Sequence, residues 1–483
     1  MKENHFQLLI LSPQEGVQTP LFKQTWGIKM NCPHRKTWTD IFVFGYLLAV
    51  LFSFCFSVEH GTALWGFPGW HMGLLTQMMF VWIYYILSRW GECTKKIMWA
   101  AFACTVLVMG IAICNRYCFD PLGVFREMEQ GTWNREHLLS TIGNQNWYCG
   151  FISVASAGCF YFCYVGEGAA KAAGWFGALI TFWTVMTQGS DSGYLIPLAM
   201  AAVLFVDALG SRRRLLRFCM TLICCPAAAL IGVQVIRLRG LMLVEDGFLR
   251  GILFWTGWKV CFFLLFGFIL ILYFREKKGR KDFLQSGRIK KVMLVLCSIL
   301  CVVCGMIFLL CQVSDTVWSA FGEKSFLRLA DQWGNDRGAL WRLSREYFMQ
   351  CPWYRKLFGA GPDCFYHALY SRYAVNDIIH PTGQWETAVY ANAHNEWLNM
   401  LINQGILGVT CYVGMFAVSF CRLWKVRDRK KEAYWGLLAI AGYCVHATVS
   451  FQQTVSTPLL FAVLGISESV LRRKETGSEN CIV

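Results

Sequence analysis

One stretch of the chain concentrates residues able to move a proton: Ala393-His394-Asn395-Glu396-Trp397, followed by an apolar run that reaches Gly405 and Gly408. With Asn392 as N-cap, His394 falls in the first turn of a helix that begins here. The positive end of a helix disfavours a cationic imidazole, so His394 is expected to stay neutral and able to accept a proton. The same helix end attracts anions such as phosphate. Gly405 and Gly408 lie about three and four turns deeper, where small residues let helices pack closely. Upstream, Asp336–Phe348 has helical periodicity, with Arg337, Leu340, Trp341 and Ser344 on one face. Asn335 or Asp336 is expected to cap that helix, and Pro352 to end it. A guanidinium at Arg337 could neutralise a diphosphate leaving group while His394 takes the proton of the acceptor. The pair suits group transfer from a diphosphate donor.

Other candidates carry two readings each. The stretch Phe358-Gly359-Ala360-Gly361-Pro362-Asp363-Cys364-Phe365 is turn-rich and could let backbone approach a ligand. Asp363 could brace that turn or touch substrate. Asp191 could cap a short turn, Ser190-Asp191-Ser192-Gly193, or face a ligand. Lys259 sits within an apolar run, where an ionisable group is a functional candidate by default. Its long stem could equally snorkel to the headgroups. Arg342, Arg345 and Arg355 read as facing solvent or sugar, and His380 is open between site and surface.

These residues need a scaffold, and composition says which kind. The 483 residues are 56% hydrophobic and 16% charged, with a net charge of +15. Soluble domains are about 45–50% apolar and about 25% charged, so an ordinary soluble enzyme and a disordered chain are both excluded. A bilayer span needs about 20 mostly apolar residues. Twelve runs qualify: 39–58, 70–88, 97–116, 146–165, 173–189, 194–210, 216–235, 251–274, 292–312, 397–420, 433–450 and 453–471. The expected architecture is an all-α polytopic membrane protein of about twelve transmembrane helices. Residues 1–38 form one tail and 472–483 the other. No cleavable signal is evident, because Leu8–Leu11 is too short for its apolar core. Residues 1–29 read as unstructured, and Met30 offers an alternative start.

Placing both termini in the cytoplasm puts 30 of the 45 Lys and Arg on the inner side, as the positive-inside rule requires. The positive charge is then an orientation signal against the anionic inner leaflet rather than a nucleic-acid footprint. Most loops are short. The exception is 313–396, between the ninth and tenth spans on the outer face, with many aromatics and three histidines, His367, His380 and His394. Long ordered loops in compact proteins are usually functional. A second outer loop, 117–145, ends in Gly143-Asn144-Gln145-Asn146. Most of the 23 cysteines lie in apolar runs and read as small hydrophobes. Cys351 and Cys364 share the large loop and could pair. Cys301 and Cys304 lie mid-span, without a second pair or a nearby His, so a metal site there is disfavoured.

The pattern His394-Asn395, nine residues, Gly405, two residues, Gly408 resembles the signature of the O-antigen ligase and O-antigen polymerase superfamily. Three further stretches resemble it in the same order: Gly143-Asn144-Gln145-Asn146, Asp336-Arg337-Gly338 with Trp341, and Gly359–Phe365. The resemblance spans 140–420 and is strongest over 335–410. It implies a GT-C-like fold and an inverting, metal-independent membrane glycosyltransferase without cofactor. The implied donor is a glycan on undecaprenyl diphosphate, used at the outer face of the bacterial cytoplasmic membrane. The implied acceptor is a lipid A core sugar, another lipid-linked glycan or a protein hydroxyl. His394 would be the catalytic residue and Arg337 a diphosphate or transition-state contact. Asn395, Trp341, Gly359, Gly361, Asp363, Asn144 and Asn146 would line the substrate site. One departure stands out: where the family often has Ser-Arg, this chain has Ser190-Asp191. Either another cation substitutes, with Lys259 the first to suspect, or this branch handles a different donor or acceptor.

The rival class is a transporter of lipid-linked oligosaccharide. It would place ionisable groups and broken helices near the bilayer midplane, whereas here the polar groups crowd one face. No Walker A stretch and no HExxH motif is present.

Overall fold

The computed structural model describes residues 36–473 apart from 130–131, 133–134, 136, 240–247, 280–286, 323–324, 332 and 374–389. His380 therefore lies outside the described residues. The chain runs α1 (Trp38–Cys55), α2 (His60–Trp65), α3 (Leu74–Trp90), α4 (Lys95–Arg116), a two-residue antiparallel pairing of β1 (Leu138–Leu139) with β2 (Gly143–Asn144), α5 (Gln145–Ala155), α6 (Ala157–Val165), α7 (Gly168–Thr187), α8 (Leu195–Ala208), α9 (Arg212–Leu222), α10 (Cys224–Arg239), α11 (Phe248–Leu253), α12 (Gly257–Lys277), α13 (Arg288–Val313), α14 (Asp315–Ala320), α15 (Trp333–Gln350), α16 (Trp353–Phe358), α17 (Phe365–Tyr370), α18 (Glu396–Val426), α19 (Ala433–His446) and α20 (Thr457–Arg472). Each of the twelve apolar runs carries helix. Eight helical stretches among the described residues are long and apolar enough to cross a membrane. The other four runs hold α3, α7, α19 and α20. α19 is 14 residues long and buried along most of its length, packed by α5, α6, α8, α18 and α20. A helix wrapped by other helices can be apolar without having the length of a lipid-facing one.

Two runs expected as single spans are each two helices in tandem. The fourth splits into α5 and α6 at Ser156, whose Oγ bonds back to the Ile152 carbonyl at 2.6 Å, a contact that bends helices. The seventh splits into α9 and α10 at Ile223. At the periphery, α12 and α13 are almost wholly exposed along their apolar faces.

The two ends of the bundle differ chemically. At one end, Asp40 at the start of α1 is held by Arg89 from α3 and Arg472 from α20, at 3.3 and 2.5 Å. Glu468 joins them, paired with Arg422 of α18 at 2.5 Å. Near the end of α8, Asp207 takes Arg427 at 2.8 Å and Arg214 at 3.0 Å, and accepts the hydroxyls of Tyr164 and Tyr434. Buried charges persist only when paired in this way. The opposite ends of α1 and α3 meet the segment 333–373 and the start of α18, where a second, smaller core forms from Leu340, Leu343, Tyr347, Phe365, Leu369, Ala393 and Ile402.

α18 is the pivot. Gly405 has φ 69° and ψ −171°, so the helix breaks nine residues after Glu396. The freed carbonyls are taken up at once. Ala360 N–H donates to Ile402 O at 2.9 Å, Gly361 N–H to Asn403 O at 3.0 Å, and Ser53 Oγ to Asn403 O at 2.5 Å. This changes two expectations. Gly405 permits close packing, since a Cβ there would meet the Leu357 carbonyl of α16, but it also makes the break; Gly408 leaves room for the side chain of Gln404 in its own helix. Gly359 and Gly361 bring backbone close to protein rather than to a ligand, because a Cβ at Gly359 would meet Asn403 O and one at Gly361 would meet Ser57 Oγ.

Gly405→Ala and Gly359→Ala should each destabilise the fold, since left-handed backbone in a residue with a Cβ costs about 1–3 kcal/mol before the clash is counted. Gly267→Ala and Gly305→Ala, with nothing within 4 Å of the added methyl, should be neutral. Melting temperatures of the four variants in detergent test this, and equal values for all four would refute it.

Candidate functional site

His394 stands one residue ahead of the N-cap of α18 rather than inside the first turn. Asn395 is the cap, its Oδ1 accepting the Leu398 N–H at 3.0 Å. Asn392 instead accepts the N–H of His394 itself at 3.0 Å. That short side-chain turn replaces the cap expected for Asn392, and it holds His394 at φ 47°. Left-handed backbone in a residue other than glycine or asparagine marks a position worth functional attention. The half-buried imidazole stands edge-on to Phe451, with ring centroids 5.1 Å apart. Its Nδ1 is buried and, among the described residues, has no hydrogen-bond partner. Burial, reinforced by the Arg337 cation, pushes the imidazole pKa down to about 3. His394 is thus a neutral base, as expected, but through desolvation and a neighbouring guanidinium more than through a helix dipole.

Arg337 lies on α15, on the same stripe as buried Leu340 and Ser344. The helix runs from Trp333, so Asn335 and Asp336 lie inside it. Trp341 fixes the helix against the His394 segment by donating its indole N–H to Ala393 O at 2.9 Å. Burial lowers the Arg337 pKa from its ordinary value, and the Asp191 carboxylate pulls it back up. The same guanidinium acts electrostatically on His394, His446 and Cys149. His446, at the end of α19, is a buried imidazole whose Nε2 has no partner among the described residues. Sequence reading missed it because a lone His at the end of an apolar run has no motif around it.

The Ser190–Gly193 turn joins this group. Ser190 Oγ donates to Asn146 Oδ1 at 2.8 Å, and Asn144 caps α5 through the Asn146 N–H at 2.8 Å. Asn144 is thereby structural, while Asn146 touches the turn. A second missed residue, Arg116 at the end of α4, is buried here. It donates to Gln145 Oε1 at 3.1 Å and to the Gln188 carbonyl. The cation beside this turn is therefore Arg116, from another helix. Lys259 is not that substitute: it is exposed near the start of α12, which packs on α9 and α10.

Asp363, at φ 56°, reaches across to the segment between α2 and α3. Its Oδ2 accepts the N–H groups of Phe67 and Met72 at 2.7 and 2.9 Å. Its brace role spans two segments rather than one turn. Burial raises its carboxyl pKa to about 7. Cys364 and Cys351 are both free; Cys364 Sγ instead faces the Glu59 carbonyl at 3.4 Å. His367 pairs with Thr62 Oγ1 at 3.0 Å. Behind Phe451 and Asn392 lies a small polar cavity of about 10 Å³, lined also by Trp70, Asp363, Asn399, Asn403 and Gln404, room for about one water. Among the described residues, no cluster of three His, Cys, Asp or Glu side chains is placed to hold a metal.

Residues 251–413 match the O-antigen ligase family. The matched segment contains Arg337, Trp341, the Gly359–Asp363 stretch and His394, and ends within α18 beyond the break. No curated protein matches the chain.

The Asp363 carboxyl predicts a pH dependence of stability. Its folded pKa, about 7, lies above the ordinary 3.8. The folded state therefore keeps a proton that the unfolded state loses, and stability falls as pH rises from about 4 through 7, by at most about 4 kcal/mol. Asp363→Asn keeps an acceptor oxygen for both N–H groups and should flatten this slope. Melting curves from pH 4.5 to 8 decide it; parallel profiles for the two proteins would assign the proton elsewhere.

Proposed function

On the premise that residues 251–413 belong to the O-antigen ligase family, which supports a membrane glycan ligase or polymerase role, we propose that the protein transfers glycan from an undecaprenyl-diphosphate carrier to a sugar hydroxyl by a metal-independent, inverting displacement at the outer face of the bacterial cytoplasmic membrane. The observation that carries this reading is a half-buried imidazole, His394, whose buried Nδ1 has no partner among the described residues and which lies within electrostatic reach of Arg337.

The acceptor hydroxyl oxygen attacks the anomeric carbon of the donor. The bond from that carbon to the diphosphate oxygen breaks, the hydroxyl proton passes to the His394 imidazole, and the diphosphate leaves with the electron pair. Arg337, with Arg116 at the Ser190 turn, offsets the charge that develops on the leaving group. Arg337 also sets the timing. Before donor binds, burial and the Arg337 cation together hold the His394 pKa near 3. A diphosphate dianion beside the guanidinium opposes that field, so donor binding makes His394 a stronger base. Asp191 tempers the cation in the absence of donor. A transporter is not favoured by the broken helix, because the break lies toward the site end of α18 and its carbonyls are already bonded by Ala360 and Gly361.

His394→Ala and Arg337→Ala should each lower transfer at least about 100-fold while expression and melting temperature hold, in a reconstituted assay with lipid-linked donor. Transfer at the wild-type rate in both would refute the assignment. Transfer should also persist in EDTA; loss on chelation restored by a divalent ion would refute the metal-independent reading. Glycan profiling of a deletion strain separates the two acceptor classes. Single-unit glycans mark a polymerase, and full-length chains stranded on carrier lipid mark a ligase.

A further inference from the structure

The segment that docks on the break in α18 carries three cations without a counter-charge. Arg355 and Lys356 of α16 and Arg372, just after α17, all act electrostatically on the Cys351 thiol, and the two arginines also on the Tyr347 hydroxyl. Three positive charges therefore gather around the end of α15. Among the described residues, none of the three side chains makes an ion pair or a hydrogen bond. Their contacts are aromatic instead: the Arg355 guanidinium lies 5.9 Å from the Tyr354 ring centroid and that of Arg372 6.0 Å from Tyr347. The carboxylates of adjoining elements are committed elsewhere. Glu346 of α15 pairs with Arg342 at 3.3 Å, and Glu59 caps α2. Like charges gathered in this way repel one another, so the cluster suits an anion.

Beside the cations an exposed aromatic strip continues the outward face of a span. α1 is long and apolar enough to cross a membrane, and Leu48, Leu51, Phe52 and Phe56 are exposed along it and at its end. α16 is laid on that end. Phe358 stacks on Phe56 at 5.0 Å between centroids and meets Phe52 at 5.5 Å, while Tyr354 meets Phe56 at 6.0 Å. Trp353 follows, 6.1 Å from Tyr354 and 72% exposed. Tryptophan and tyrosine at the end of an apolar span, with arginine and lysine beside them, form the pattern of the headgroup layer. A partner that meets both the strip and the cations carries hydrocarbon joined to an anion. We propose that α16 lies in the headgroup layer and that Arg355, Lys356 and Arg372 bind the phosphate of an anionic phospholipid, whose acyl chains cover Phe52, Phe56 and Trp353. A zwitterionic lipid would bring its own cation to the cluster, and a soluble anion would leave the strip bare. This inference and the transfer reading above do not depend on each other.

The test is photocrosslinking of the full-length protein, carrying Trp353→benzoylphenylalanine, in nanodiscs of equal phosphatidylglycerol and phosphatidylcholine. Mass spectrometry of the labelled peptide reads which lipid is attached. Phosphatidylglycerol adducts should exceed phosphatidylcholine adducts by about tenfold or more. Arg355→Gln, Lys356→Gln and Arg372→Gln should each lower that ratio about fivefold, the equivalent of about 1 kcal/mol, and the triple variant should level it. Lys356→Arg, which keeps the charge, should leave the ratio intact. Arg342→Gln removes a cation already paired with Asp331 and Glu346 and should also leave it intact. No lipid adduct, equal adducts in the parent protein, or a fall in Arg342→Gln as large as in the other three would overturn the proposal. So would loss of the preference in millimolar inorganic phosphate or heparin but not in chloride of equal ionic strength, which would assign the cluster to a soluble anion.

Discussion

The structure depends on how one broken turn is repaired. Backbone groups freed inside a membrane protein must be hydrogen-bonded within the protein, since lipid offers no partner. At Gly405 the helix α18 gives up its regular ladder, and the carbonyls of Ile402 and Asn403 are recovered by Ala360, Gly361 and Ser53. That repair ties three distant parts of the chain together: the end of α1, the segment after α16, and α18. The glycines at 359, 361 and 405 are where they are because each close approach leaves no room for a Cβ.

The same repair builds the site. Docking 359–361 onto α18 brings Asp363 to the Phe67–Met72 segment and places Trp70 across from Asn403 and Gln404. α15 is then held over the start of α18 by the Trp341 bond to Ala393 O. Arg337 thereby comes to share its field among His394, His446 and Asp191. Its charge matters because the surroundings are dry and its partners few.

The opposite end of the bundle works by saturation instead. Asp40, Asp207 and Glu468 are each met by arginines, and two of them also by tyrosine hydroxyls. These networks join the ends of α1, α3, α18 and α20, and leave little unpaired. One end of the molecule is locked by dense arginine–carboxylate pairing, while the other retains, among the described residues, unpartnered nitrogen and oxygen atoms at His394, His446, Asn403 and Gln404. That contrast separates scaffold from site better than any count of charges.

Much of this was legible in the linear chain. Apolar runs of span length located helices, because burial in lipid or helix demands side chains of one kind over a whole length. His394, Arg337 and the Gly359–Asp363 stretch were identifiable because their types and order are unusual among apolar neighbours. The roles of Asn395, Gly361, Gly405 and Gly408 were not, since capping, close approach and helix breaking depend on dihedral angles and on what stands opposite. Nor could the chain order show that Arg116 serves the Ser190 turn while Lys259 is exposed on α12, or that His446 lies within reach of Arg337. Sequence alone determined the class of the protein and its candidate base and cation, through composition and local pattern. Tertiary structure decided which cations, imidazoles and amides meet, because desolvation and Coulomb fields act through space between residues that the chain keeps far apart.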